Sequence, residues 1–140
     1  MAAELLTLGQ SIRDSLERVA DRGPEVVASY QKRLTERVQN LVSEHGVVVE
    51  AKDLIREVAI YAERADIAEE ITRLRAHLKQ FAEVINESES SGRKLEFVVQ
   101  EMGRETNTIG SKANDSLISR EVVTLKAELE KFREQAQNVE

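Results

Sequence analysis

The stretch DIAEEITRLRAHLKQFAEVI, residues 66–85, carries Ile67, Ile71, Leu74, Leu78, Phe81 and Ile85 at alternating spacings of four and three. That is the period of a helix with one buried face, whereas a half-buried strand would alternate every second residue. Upstream, Leu54, Val58 and Tyr61 continue the pattern, so the spacing predicts a helix from about Ala51 to Glu87 that can break near Asp66. Its apolar row is close to a coiled-coil seam and needs other helices to cover it.

Working outward, the same period recurs on both sides. Leu5, Leu8, Ile12, Leu16 and Val19 stripe a first helix near Ala2–Asp21, and Val27, Tyr30, Leu34, Val38 and Leu41 stripe a second near Pro24–Glu44. Gly23–Pro24 lies between them, and proline suits a first helical position, where its missing N–H costs nothing. The expectation is an antiparallel hairpin over residues 1–46, closed by His45–Gly46 and the β-branched run Val47–Val49. Downstream, Glu87–Gly92 reads as a polar connector. A fourth helix near Gly92–Asn107 buries Leu95, Val98, Val99 and Met102, and Thr108–Ser116 reads as a second polar loop. A fifth, near Leu117–Asn138, presents Ile118, Val122, Leu125, Leu129, Phe132 and Ala136. The fold expected is all-α with about five helices, an elongated helical hairpin followed by a helical C-terminal bundle over residues 47–140.

Composition limits the function classes. The 140 residues include no cysteine, which removes disulfides and thiolate metal sites and fits a reducing cytoplasm. No apolar run is long enough to span a bilayer, and the start MAAELLTLGQ lacks the blocks of a secretory signal. The net charge is −6, with the acidic excess in the first half of the chain, so a polyanion would have to meet a local cationic patch or a bound metal. Phosphate-binding glycine loops are absent. The only histidines are His45 and His77, so a two-histidine acid–base nuclease site within one subunit is disfavoured.

Three polar groups remain as sites for chemistry. Glu63, Asp66, Glu70, Arg73 and His77 stack in one row one residue behind the apolar stripe, at the edge of a helix contact. Asp66 with Glu69 also fits a capping box, and Glu70 with Arg73 an ordinary surface pair. On the fourth helix Glu101 and Glu105 are one turn apart, which allows two carboxylates to share a hard divalent cation while Lys94 and Arg104 hold phosphates. Phe97 is expected at the packed edge of the core. The run Asn107–Asp115 collects hydroxyls, amides, Gly110 and Lys112, a composition suited to phosphate oxygens, although Asp115 also fits a helix N-cap and Gly110 a helix end.

Three segments in this order carry a resemblance: ERADIAEEITRLRAHLKQF (63–81), GRKLEFVVQEMGRETNTIGSKAND (92–115) and LKAELEKFREQAQNVE (125–140). Together they resemble the C-terminal region of the YicC-like endoribonuclease family, and the helices around Gly23–Pro24 resemble its helical middle. The resemblance implies a bacterial, divalent-metal-dependent endoribonuclease, using Mn²⁺ or Mg²⁺, that acts on RNA as a homo-oligomer, a hexamer in full-length form. It also implies a further N-terminal domain, so the chain is expected to be the C-terminal piece of a longer protein. Carried over position by position, it selects Asp66, Glu69, Glu70, Arg73 and His77, then Arg93, Lys94, Gln100, Glu101, Arg104, Glu105, Asn107, Ser111 and Lys112, and finally Arg133, Gln135, Gln137 and Asn138. Glu96 stands where the family usually has Asp, and Gly103 where it usually has Asn.

On this reading Glu101, Glu105, Glu70 and His77 are catalytic, the three glutamates holding the metal. Arg73, Arg93, Lys94, Arg104, Asn107, Ser111, Lys112 and Arg133 bind RNA. The rival expectations are a non-catalytic RNA-binding or adapter module, and an oligomerisation module whose apolar stripes serve contacts between copies.

Overall fold

The computed structural model describes residues 2–86 and 92–138, so the connector expected at Glu87–Gly92 lies outside the described residues except for Gly92, which begins a helix. The described chain is all-helical: α1 (Ala2–His45), α2 (Ala51–Arg64), α3 (Ala68–Ile85), α4 (Gly92–Lys112) and α5 (Ser116–Gln137). None of these helices is long and apolar enough to cross a membrane.

The first half of α1 joins α3, α4 and α5 in a four-helix bundle. The main contacts run around the bundle in the cyclic order α1, α3, α4, α5. Cross-helix pairs fix the directions. Arg18 meets Glu121 and Arg22 meets Asp115, so α1 and α5 are antiparallel; Glu17 meets Arg75 while Leu5 and Gly9 lie beside Phe81 and Ile85, so α1 and α3 are too. Glu70 meets Lys112 and Arg73 meets Glu105, which makes α3 and α4 antiparallel as well. The interior is aliphatic, with Leu16, Leu74, Leu95, Met102, Ile109 and Leu125 among its fully buried side chains, and Phe81 stacked on Phe132 at 3.9 Å.

The hairpin expected at Gly23–Pro24 does not form; α1 runs straight through as one helix of 44 residues. The reason is phase. Leu5, Ile12, Leu16, Val19 and Val26 are all buried in the same core, and the step of seven from Val19 to Val26, two helical turns, keeps the stripe on one face across the proline. Proline inside a helix removes one hydrogen bond and crowds the preceding turn, at about 3 kcal/mol, but stopping there would strip Val26 from the core. Gly23 is not demanded by crowding, since a Cβ at that position would make only an ordinary contact with Ile67, 3.9 Å away at the α2–α3 corner.

Beyond Val26 the helix leaves the bundle as an arm of about 28 Å. It turns back at Gly46, whose φ of 63° is a left-handed conformation suited to glycine, and α2 returns along it. The two are clasped by Tyr30 and Tyr61, stacked at 3.8 Å. A helical hairpin therefore exists, displaced along the chain by half of α1. Its tip leaves Val48 and Ile55 mostly exposed.

Of two other boundaries, one holds and one moves. The break near Asp66 occurs as expected: the α2–α3 corner is held by the Ala68 N–H donating to Asp66 Oδ1 at 3.0 Å, while Glu69 turns to Arg73 instead of closing a capping box. The loop expected at Thr108–Ser116 is mostly helix, because α4 continues to Lys112 and only Ala113–Asp115 separate it from α5. Gly110 does not end α4; it permits a close approach to α5, where a Cβ would come within 3.2 Å of Val122. Asp115 is the N-cap of α5, accepting from the Ile118 N–H at 3.1 Å, and its carboxylate also receives two hydrogen bonds from Arg22.

Two outcomes follow. Pro24→Ala should stabilise the chain by about 1–3 kcal/mol in denaturant titration, since it restores the missing bond of a continuous helix; a neutral or destabilising result would favour a break at this point. The Arg22 guanidinium, foremost, and the Ile118 N–H hold the Asp115 carboxyl below its ordinary range, against the opposing effect of burial. Stability from a depressed carboxyl is complete above its unfolded-state value and drains as pH falls through the folded-state value, so melting temperature should drop below about pH 4. Asp115→Asn keeps a capping oxygen but removes the charge, and should flatten that acid limb.

A candidate charged seam between α3 and α4

The antiparallel contact of α3 and α4 gathers four of the side chains singled out above. Glu70, 2 % exposed, sits on the inner edge of α3. Its Oε1 accepts from Lys112 Nζ at 2.8 Å and lies 3.6 Å from Arg73 Nη2. Arg73 Nε in turn donates to Glu105 Oε1 at 2.8 Å, and Arg73 Nη1 reaches Glu69 at 3.3 Å. Lys112 Nζ also donates to the Asp66 backbone carbonyl at 3.3 Å. The result is an alternating network of acids and cations laced across two helices.

Local sequence explains the placement. Successive residues on a helix rotate by about 100°, so Lys94, Glu101, Glu105 and Lys112 fall on one narrow edge of α4, beside the buried Val98, Met102 and Ile109. Glu70, Arg73 and His77 do the same on α3. The register of the two ion pairs, carried one turn along, puts His77 level with Glu101. His77 is half-buried, and Glu101 is half-buried with Arg104 Nη2 3.9 Å away.

The electrostatics favour the charged forms of the cations. The hydrogen bond that it donates to Glu70 is the main reason that the Lys112 ammonium is held above its usual range, with partial burial opposing it. Glu105 does the same for Arg73. Glu70 Oε2 is the weak point of the network: it is buried and has no hydrogen-bond partner among the described residues. A sealed carboxylate oxygen normally finds a donor, so this atom marks a place where the seam is incomplete in the isolated chain.

Other expected positions are not drawn in. Arg93, Arg104, Asn107 and Ser111 lie exposed on faces of α4 turned away from the seam, and Ser111 Oγ donates back to the Thr108 carbonyl. Lys94 is exposed at the far end of the seam edge. Arg133 on α5 pairs with Glu130 on its own helix. Phe97 corrects the expectation of a packed edge: it is 57 % exposed, because Leu95, Val98 and Val99 already fill the interior at that level. It stands in solvent one turn before Glu101.

A divalent ion held by the chain's own carboxylates needs several oxygens turned to one point. Among the described residues no group of three or more acidic or histidine side chains is gathered in that way. Glu70 and Glu105 each have an oxygen committed to a cation, and Glu101 lies a turn along the helix. The three glutamates do not by themselves make a cage for Mn²⁺ or Mg²⁺.

A third buried acid, besides Glu70 and Glu105, was not anticipated from the sequence. Glu128 on α5 accepts from Ser15 Oγ at 3.4 Å, Ser15 accepts from Arg18 at 3.0 Å, and Glu128 Oε2 has no partner among the described residues. The signal was present, since Glu128 lies three residues after Leu125 and four before Phe132, on the buried face.

Comparison with known proteins agrees with the resemblance. Residues 19–140 match the model of the endoribonuclease YicC-like C-terminal region. The chain is 43 % identical over 129 residues to a protein of Clostridioides difficile (strain 630) named probable endoribonuclease YicC, covering 92 % of this chain and 44 % of that protein. A protein of the same name from Haemophilus influenzae is 33 % identical over 130 residues, covering 93 % of this chain and 44 % of that protein. The chain therefore spans less than half the length of these relatives. With a matched region that includes α2 to α5 and most of α1, the chain belongs to the YicC-like endoribonuclease family, of which it represents the C-terminal region.

Proposed function

We propose that this chain is the helical C-terminal region of an endoribonuclease and that the α3–α4 seam is where it meets the scissile phosphodiester of RNA. The observation that carries this reading is the alternation Glu70, Lys112, Arg73, Glu105 across two helices, in a chain of this family, with one carboxylate oxygen left unsatisfied. Arg73 and Lys112 are fixed cations, already oriented, and negative charge that builds on a phosphate is best met by donors that need no rearrangement. Glu105, with one oxygen on Arg73, keeps a second for a proton or a water. His77, level with Glu101, has an imidazole able to accept and donate a proton. Phe97, exposed one turn away, offers a face on which a base can stack.

The same cations are bonded to carboxylates in the free chain, so RNA must compete with Glu70 and Glu105 for them. Dependence on Mn²⁺ or Mg²⁺ belongs to this reading only if ligands beyond the three glutamates complete the site. Self-association, as a hexamer in the full-length protein, is a second reading; it is favoured by the apolar residues at the hairpin tip, Leu41, Val42, Val47–Val49 and Ile55, which are exposed in the single chain.

The test uses the full-length protein with end-labelled RNA, with and without Mn²⁺ and with chelator. Glu105→Gln and Lys112→Gln should each lower the cleavage rate by about 100-fold or more while circular dichroism stays unchanged. Cleavage at the native rate by both variants would remove the seam from the reaction. Light scattering on the same samples reads the assembly, and a monomer would dismiss the hexamer.

A further inference from the structure

A groove on another face of the molecule is lined by residues outside the seam. It lies where the arm of α1 leaves the bundle, between that arm and the turn into α5, with a volume of about 560 Å³. Arg22, Arg33 and Arg37 line it from α1, against a single acidic side chain, Asp115. Arg22 and Asp115 neutralise one another through two hydrogen bonds, which leaves Arg33 and Arg37 as the uncompensated charges. Both are exposed, and neither has an ion-pair or hydrogen-bond partner among the described residues.

This is the reverse of the seam, where each cation is already held by a carboxylate. Arg33 and Arg37 are one helical turn apart, about 5–6 Å between their Cβ atoms, a spacing suited to consecutive phosphates of one strand. The stacked pair Tyr30 and Tyr61 lies half-buried beside them and lines the groove. Ser29, Ser116 and Ser119 add hydroxyl donors, which are common phosphate contacts. In a chain of net charge −6, a polyanion is repelled overall, so any strand it holds must lie along such a local cationic track.

We propose that the Arg33–Arg37 groove binds the phosphodiester backbone of single-stranded RNA, as a holding site separate from the seam. The groove opens on the α4–α5 turn, three residues beyond Lys112. A strand crossing that turn would therefore reach the seam at one end and the arm at the other. This placement rests on the reading of the seam as the cleavage site, whereas the groove's affinity for RNA does not.

The experiment is fluorescence anisotropy of a labelled, unstructured RNA of about 12 nucleotides with this chain and with the full-length protein, at several KCl concentrations. Arg33→Gln/Arg37→Gln should weaken binding by about tenfold or more near 100 mM salt and make the log–log salt slope shallower by roughly 1.4, two phosphate contacts on a single strand. Arg37→Gln alone should produce part of both effects. Lys79→Gln/Lys126→Gln, which removes the same charge from exposed positions elsewhere, should leave both nearly unchanged. Inorganic phosphate at the same total phosphate concentration should fail to displace the RNA.

The proposal is overturned if the wild-type chain binds no RNA at low salt, if the arginine variants bind as the wild type does, if the lysine control loses as much, or if inorganic phosphate displaces the strand. Cleavage by full-length Glu105→Gln, read in parallel, separates the two ideas. Lost binding in the arginine variants with native cleavage by Glu105→Gln would sink the seam and keep the groove, and the converse would sink the groove alone.

Discussion

The apolar stripe of α1 keeps its helical phase across Gly23–Pro24, and most of the molecule's arrangement hangs on that. The first half of the stripe, through Val26, closes the bundle against α3 and α5. Because the helix does not stop there, its second half is carried into solvent as an arm on which Arg33 and Arg37 stand. A chain that turned at Pro24 would fold those arginines back against the bundle and would have no groove above the α4–α5 turn. Hydrophobic burial at one end of a helix thus sets the position of charges at the other.

Within the bundle the α3–α4 contact is held by charge as well as by aliphatic packing. Glu70 is nearly sealed from water, and a buried carboxylate is tolerable only where cations and donors meet it. Lys112 and Arg73 supply that, and Glu105 then ties Arg73 to α4. Such a network has two properties relevant to a nuclease. It holds cations in place before a substrate arrives, and it holds them back, because each is shared with an acid. Arg33 and Arg37 in the groove have the opposite character: they are exposed and have no carboxylate partner among the described residues. On the proposed reading, holding RNA and acting on it are tasks for differently prepared cations.

The fold class was legible because apolar spacing of three and four persists from Leu5 to Ala136. The break near Asp66 and the cap at Asp115 were also readable, since both rest on local chemistry. What misled was local punctuation that tertiary packing overrides. Gly23–Pro24 looks like a stop, yet the buried stripe outweighs it. Gly110 looks like a helix end, yet it is a contact surface for Val122. Of the expected site, Glu70, Arg73, Glu105 and Lys112 come together because their spacing put them on facing edges, whereas Arg93, Arg104, Asn107 and Ser111 share the segment without sharing the edge. The Arg22–Asp115 pair, and with it the groove, was invisible in one sequence: its partners are 93 residues apart and joined only by the direction of α1.

RNA is proposed to meet this chain along the α3–α4 seam and the α1 groove. Amide chemical-shift mapping of the isotopically labelled chain, titrated with a short single-stranded RNA, reads both surfaces at once. The largest shifts should cluster at residues 69–77, 97–116 and 22–37. Shifts concentrated on the outer faces of α2 and α5, with those three segments silent, would contradict the proposal.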